Sequence, residues 1–163
     1  MVERKIFDVH DINIIAHDFG AYIGLIVCSD TEIINRILLL SPILDLKKHV
    51  DNDEFKKALS YINRFLPGLV RGIEQVEDFI KLTKDELLKE EFQIENFIKK
   101  LNTRGFKIII GDVDKITPLL EVNNFAQKAN IVPEITVVKG MDHSAFKDEE
   151  IQQIHEEIKK FFA

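Results

Sequence analysis

Short apolar runs alternate along this chain with longer stretches in which apolar residues recur every three or four positions, a pattern that predicts strands separated by helices. Residues 12–16 (INIIA) form an apolar run that ends at small residues and suits a buried parallel strand. Residues 19–28 continue as a helix, with Gly20 and Gly24 placed to permit close packing. A second strand is expected over 36–40 (RILLL), stopping at Ser41-Pro42, and a third over 106–110 (FKIII) between Gly105 and Gly111. The fourth is expected over 135–138 (ITVV), after Pro133 and before Gly140. Pro118 suits the first turn of a helix carrying Leu119, Leu120, Val122 and Phe125. The tail over 148–162 places Ile151, Ile154, Ile158 and Phe161 on one helical face. Strands and helices in this order give an α/β fold: a parallel sheet of about four strands joined by right-handed crossovers.

One segment interrupts the alternation. Between the second and third strands, residues 46–104 carry only helical patterning and read as a helical insertion within a single domain spanning 1–163. Phe55, Leu59, Ile62 and Phe65 share one helical face, Pro67-Gly68 is a break, and Thr83-Lys84-Asp85-Glu86 has the form of a capping box opening another helix that Gly105 would close.

Composition narrows the function classes. The 163 residues include 45% hydrophobic and 31% charged side chains with a formal net charge of −6, the balance of an ordinary globular domain. Cations are interleaved with acids, as over 84–91, rather than gathered into the basic stripe that phosphate neutralisation requires, so no nucleic-acid partner is expected. No apolar run approaches the ~20 residues of a membrane span, and the first residues, MVERKIF, lack the apolar core of a secretory signal; a cytoplasmic protein without a membrane partner is the expectation. The single Cys28 lies in an apolar helical stretch and reads as core. The five histidines are scattered, so neither a metal nor a cofactor is expected.

Candidate chemistry gathers at the strand ends. The first strand runs into Ala16-His17-Asp18-Phe19-Gly20 and then a helix. A sharp strand-to-helix turn needs small residues flanking its apex, and Ala16 and Gly20 supply them. Asp18 would then stand at the carboxyl edge of the sheet, beside the positive end of a helix dipole, where open α/β sheets place ligands. The third strand leads into Gly111-Asp112-Val113-Asp114-Lys115-Ile116-Thr117-Pro118 and the fourth into Gly140-Met141-Asp142-His143-Ser144.

These three runs, in this order, resemble the nucleophile elbow, acid loop and histidine loop of the α/β-hydrolases. The resemblance covers about residues 12–45 and 106–162, the carboxyl-terminal part of that fold, and the aspartate at the apex resembles haloalkane dehalogenases and epoxide hydrolases. It implies catalytic roles for Asp18 as nucleophile, Asp114 as acid and His143 as histidine, with the N–H of Phe19 in the oxyanion hole. It implies a hydrolase acting on a small organic substrate, uncharged or weakly polar, through an Asp18 ester that His143-activated water cleaves. Dehalogenases usually hold the departing halide with tryptophan, which this chain lacks, and epoxide hydrolases use cap tyrosines. Tyr61, the tyrosine in the insertion, falls on the Phe55/Leu59/Ile62 helix and reads as packing. His17 reads as structural, Ser41 and Ser144 as turn or capping residues, and Phe146, Phe161 and Phe162 as core. Two alternatives stay open: a catalytically inactive remnant of the fold serving as a binding or assembly module, and a serine-type carboxylesterase. With few residues ahead of it, the elbow strand would form an apolar sheet edge, so a homodimer covering that edge is expected.

Overall fold

A computed structural model describes residues 12–68, 75–87, 89, 92–144 and 147–163. Four parallel strands, β1 (Ile12–Asp18), β2 (Ile34–Pro42), β3 (Gly105–Gly111) and β4 (Glu134–Val138), form one sheet in the order β1-β2-β3-β4. Between them run α1 (Phe19–Asp30), then α2 (Leu46–Asp51), α3 (Asp53–Phe65), α4 (Val76–Leu87) and α5 (Ile94–Phe97), and later α6 (Leu119–Lys128); α7 (Asp148–Phe162) ends the chain. The predicted alternation of strand and helix is present. Among the described residues, no helix is long and apolar enough to cross a membrane.

The chain divides into two compact units. One comprises the residues up to Leu44 together with Phe97–Ala163, and the other is Asp45–Asn96. In the first, alternate strand residues face opposite helices. Gly24 of α1 lies against Ala16 and Ile14 of β1 and Ile37 of β2, close enough that an added Cβ would touch all three, so the glycine brings helix and sheet together. Gly20 faces open space instead, contrary to the packing role expected of it. On the opposite face, Leu38, Ile109, Val138, Met141 and Ile154 form a buried cluster backed by Phe161 and Phe162. Cys28 is fully buried, and burial pushes its thiol pKa up to about 11, which makes it an inert core residue. Phe146 lies outside the described residues.

In the second unit, α2, α3 and α4 pack around Val50, Leu59, Val76 and Ile80. Three expectations for residues 46–105 fail. Thr83 does not open a helix but sits inside α4, its hydroxyl donating to the Phe79 carbonyl one turn back, a bond that competes with the capping role its sequence suggests. Gly105 does not close a helix but starts β3. Tyr61 is exposed and stacks on Phe65, so it does not pack into a core.

A buried ion triad anchors α7 to the sheet. Lys107, wholly buried in β3, donates to Glu134 at 2.6 Å and to Glu157 of α7 at 2.5 Å. Burial alone would lower its pKa, but the two carboxylates more than offset that and raise it above the ordinary lysine value. Next to it on β2, Arg36 donates to the Phe161 carbonyl at 2.5 Å, near the carboxyl end of α7. The local sequence carries no sign of this triad, because Glu157 lies fifty residues away along the chain. Alanine and methionine both take the cation from Glu134 and Glu157, which reach solvent, but methionine keeps the buried aliphatic stem and alanine leaves a cavity. Lys107→Ala should therefore cost about 3 kcal/mol in urea unfolding and Lys107→Met only about 1 kcal/mol. Equal losses would show that the charge, rather than the buried stem, holds α7.

Candidate active site

The three side chains singled out in the sequence meet at the carboxyl edge of the sheet. Asp18 is the last residue of β1 and stands at the N-cap position of α1. Its backbone has φ 55° and ψ −126°, a conformation that L-residues rarely adopt and that costs on the order of 1–3 kcal/mol. An aspartate at an N-cap ordinarily accepts from an amide of the first turn. Asp18 makes no such bond; one carboxylate oxygen instead lies 3.3 Å from Nε2 of His143. The strain in the turn thus aims the side chain away from its own helix and across the sheet edge.

Asp114 lies in the loop after β3, its side chain wholly buried. One carboxylate oxygen accepts the amide N–H groups of Ile116 at 2.8 Å and Thr117 at 2.9 Å, and the other lies 2.9 Å from Nδ1 of His143. These donors satisfy the buried carboxylate, which offsets the cost of burying it. The Thr117 hydroxyl in turn donates to the Pro42 carbonyl at 2.7 Å, and the Ile43 amide donates to the Asp18 carbonyl at 3.1 Å. The end of β2 therefore ties the Asp18 turn to the Asp114 loop.

His143 follows β4. Its loop is fastened to the Asp114 loop by backbone bonds from Asp112 to Val138 and from Val113 to Met141, and by the Gly140 amide donating to the Asp112 carboxylate at 2.6 Å. Two glycines make this possible. Gly140 has φ 76°, and a Cβ at Gly111 would lie 1.9 Å from the Met141 carbonyl oxygen. Asp112 reads in sequence as a turn residue, yet it is the side chain that holds the histidine loop; an aspartate two positions before Asp114 was the available signal. His17 also adjoins the site, its ring 5.9 Å from that of His143.

The imidazole is bracketed by two carboxylates. Burial alone would lower its pKa, but hydrogen bonds to Asp114 and Asp18, reinforced by their charges, raise it from 6.5 to about 9. At neutral pH His143 is thus an imidazolium. Phe19 opens α1, so its N–H belongs to the first helical turn, where no helix carbonyl can accept from it. Ser41 is wholly buried with φ 40°, and its hydroxyl has no hydrogen-bond partner. Ser144 is exposed, its amide donating to the Asp142 carboxylate in a turn. Among the described residues, no cluster of His, Cys, Asp and Glu has the arrangement of a metal site.

Comparison with solved structures finds this arrangement of strands and helices within several larger enzymes. A puromycin-hydrolysing peptidase from Mycobacterium tuberculosis superposes with a TM-score of 0.65 at 15% identity, over 95% of this chain and 22% of that one. Acetyl xylan esterase 1 from Thermoanaerobacterium sp. JW/SL YS485 gives 0.60 at 16%, over 95% and 45% of the two chains. A monoacylglycerol lipase from Paleococcus ferrophilus gives 0.59 at 16%, over 94% and 68%. The chain spans about a fifth to two thirds of the length of these structures. It matches no family model and no curated protein.

The bracketed imidazole has a measurable signature. A histidine pKa raised on folding contributes stability in full below about 6.5, and the contribution fades as pH rises through about 9. In an NMR titration His143 should show a midpoint near 9, and Asp18→Asn should move it down. A wild-type midpoint near 6.5 would mean that the two carboxylates do not hold the ring.

Proposed function

We propose that this chain is a hydrolase that attacks a small uncharged or weakly polar electrophile with the Asp18 carboxylate. The observation that carries this reading is the unbroken chain from Asp18 through His143 to the buried Asp114, with contacts of 3.3 and 2.9 Å. An imidazolium cannot take a proton from a serine, but a carboxylate needs no such help, since it is already ionised at neutral pH. The resting charge state therefore suits an aspartate nucleophile.

On this reading an Asp18 oxygen bonds to an sp³ carbon of the substrate as the bond to the leaving group breaks, giving an ester and releasing, for a haloalkane, the halide ion. Esterification removes the negative charge of Asp18. One of the two carboxylates that hold the imidazole protonated is thereby neutralised, so the pKa of His143 falls and its proton passes to solvent. His143, oriented by Asp114, then accepts a proton from water as the water oxygen attacks the ester carbonyl. The oxyanion that forms accepts from the Phe19 N–H. Transfer of the proton from His143 to the departing oxygen releases an alcohol, and Asp18 and His143 return to the ion pair.

The competing reading, a non-catalytic binding module, draws on the fraction of the hydrolase fold that the chain spans. A serine-type esterase has less support, because the Ser41 hydroxyl is buried. Intact mass measurement separates the three. After incubation with a panel of haloalkanes and epoxides, His143→Ala should carry one alkyl adduct mapping to Asp18, and turnover should fall at least about 100-fold. Neither adduct nor turnover in any variant would favour the binding module, and a fluorophosphonate-labelled serine would favour the esterase.

A further inference from the structure

The turn that leads into His143 is held by hydrogen bonds rather than by packing. Gly140, at its corner, is exposed, with φ 76° and nothing within 4 Å of where a Cβ would stand. Both of its backbone polar groups are nevertheless engaged by side chains. The amide donates to the Asp112 carboxylate at 2.6 Å, and the carbonyl accepts from Nζ of Lys147 at 3.3 Å. Lys147 is exposed and is held more closely by Glu150, at 2.6 Å, so its grip on Gly140 is the weaker of the two. A carboxylate accepting an amide N–H at so short a distance makes a strong, charge-assisted bond.

We infer that Asp112 is a positioning residue: by holding the Gly140 amide, its carboxylate keeps His143 in place for the attack of water on the Asp18 ester. Asp112 and Asp114 stand two residues apart on one loop and act on one target at two levels. Asp114 takes the imidazole at Nδ1, and Asp112 takes the backbone three residues ahead of the ring. Before the corner, the Asp112 amide donates to the Val138 carbonyl at 3.2 Å. Beyond it, Met141 is wholly buried and its carbonyl accepts the Val113 N–H at 3.3 Å. Between these ties lies a glycine, the residue with the widest backbone freedom. Without an acceptor at position 112 the corner relaxes, and the ring contacts of 2.9 and 3.3 Å loosen with it.

The two chemical steps ask different things of His143. Attack by the Asp18 carboxylate uses no base, whereas attack by water needs the imidazole within reach of that water. A loosened turn therefore slows the second step and spares the first. The choice of step rests on the hydrolase reading above; the positioning of the ring does not.

Asp112→Ala removes the acceptor, while Asp112→Asn keeps an acceptor oxygen without the charge. In an NMR titration Asp112→Ala should bring the His143 midpoint down from about 9 toward 6.5, and Asp112→Asn should restore it. With an electrophile that alkylates the wild type, Asp112→Ala should slow ester hydrolysis about tenfold and alkylation less than about twofold. Asp112→Asn should recover most of that loss. A merely structural aspartate would lower the thermal midpoint and move neither readout. Amide exchange on the wild type needs no variant: Gly140, though exposed, should be protected at least about tenfold over an unstructured glycine. An unprotected Gly140 amide, an Asp112→Ala chain with an unchanged His143 midpoint or wild-type ester hydrolysis, or an Asp112→Asn chain no better than Asp112→Ala overturns the proposal. If no electrophile alkylates Asp18 in any variant, the hydrolase reading falls, and the titration still decides the positioning of the ring.

Discussion

The site depends on one arrangement, an imidazole held between two carboxylates of different character. Asp114 is wholly buried and saturated by backbone amides, whereas the Asp18 side chain is 45% exposed. The buried carboxylate fixes the orientation of the ring, and the other faces solvent. The same two charges, working against burial, keep the ring protonated. An imidazole so placed responds to the chemical state of Asp18. On the proposed mechanism the ring is an acid while that carboxylate is ionised and a base once it is neutralised. No conformational change is required for the exchange.

Much of this was legible in the sequence. The four strands stand where the apolar runs put them, because β-branched residues bounded by Gly, Pro and Ser are a local signal. Asp18, His143 and Asp114 could be ordered along the chain because each ends or follows a strand of one parallel sheet, and such strands bring their carboxyl ends to a common edge. What was illegible is what depends on contacts distant in sequence. Lys107 is a lone cation in an apolar strand run, and its partner in α7 is visible only once Glu157 is placed beside it. Thr83 carries a capping signature that the surrounding helix overrides. Asp112 resembles any turn aspartate until Gly140 is found against it.

Backbone strain is concentrated at the same edge. Among the described non-glycine residues, Asp18 and Ser41 have positive φ, and they end the adjacent strands β1 and β2. The pairing between those strands slips in register between His17 and Asp18, so that Asp18 comes opposite Pro42 and Ser41 is passed over. That slip is what lets the Ile43 amide reach the Asp18 carbonyl while the Pro42 carbonyl receives the Thr117 hydroxyl. Strain of this kind persists only where surrounding contacts over-determine it. Here the interior of the sheet, with Ile37, Leu38, Leu39, Ile108, Ile109 and Ile110 wholly buried, supplies that support.

Under the proposed mechanism, an aspartate asks less of oxyanion donors than a serine would. A serine attacking a carbonyl generates an oxyanion in its first step, and loss of one oxyanion donor typically slows that step about 100- to 1000-fold. A carboxylate displacing a leaving group from an sp³ carbon generates no oxyanion on the protein at that stage. The requirement appears only when water attacks the ester, where the Phe19 N–H is the donor this chain places beside Asp18. All the groups that the first step calls for, a strained Asp18 and the imidazolium and buried carboxylate behind it, lie within the unit that contains the sheet. On the proposed mechanism the demand for oxyanion donors falls wholly on the second step, so that water attack on the ester sets the overall rate.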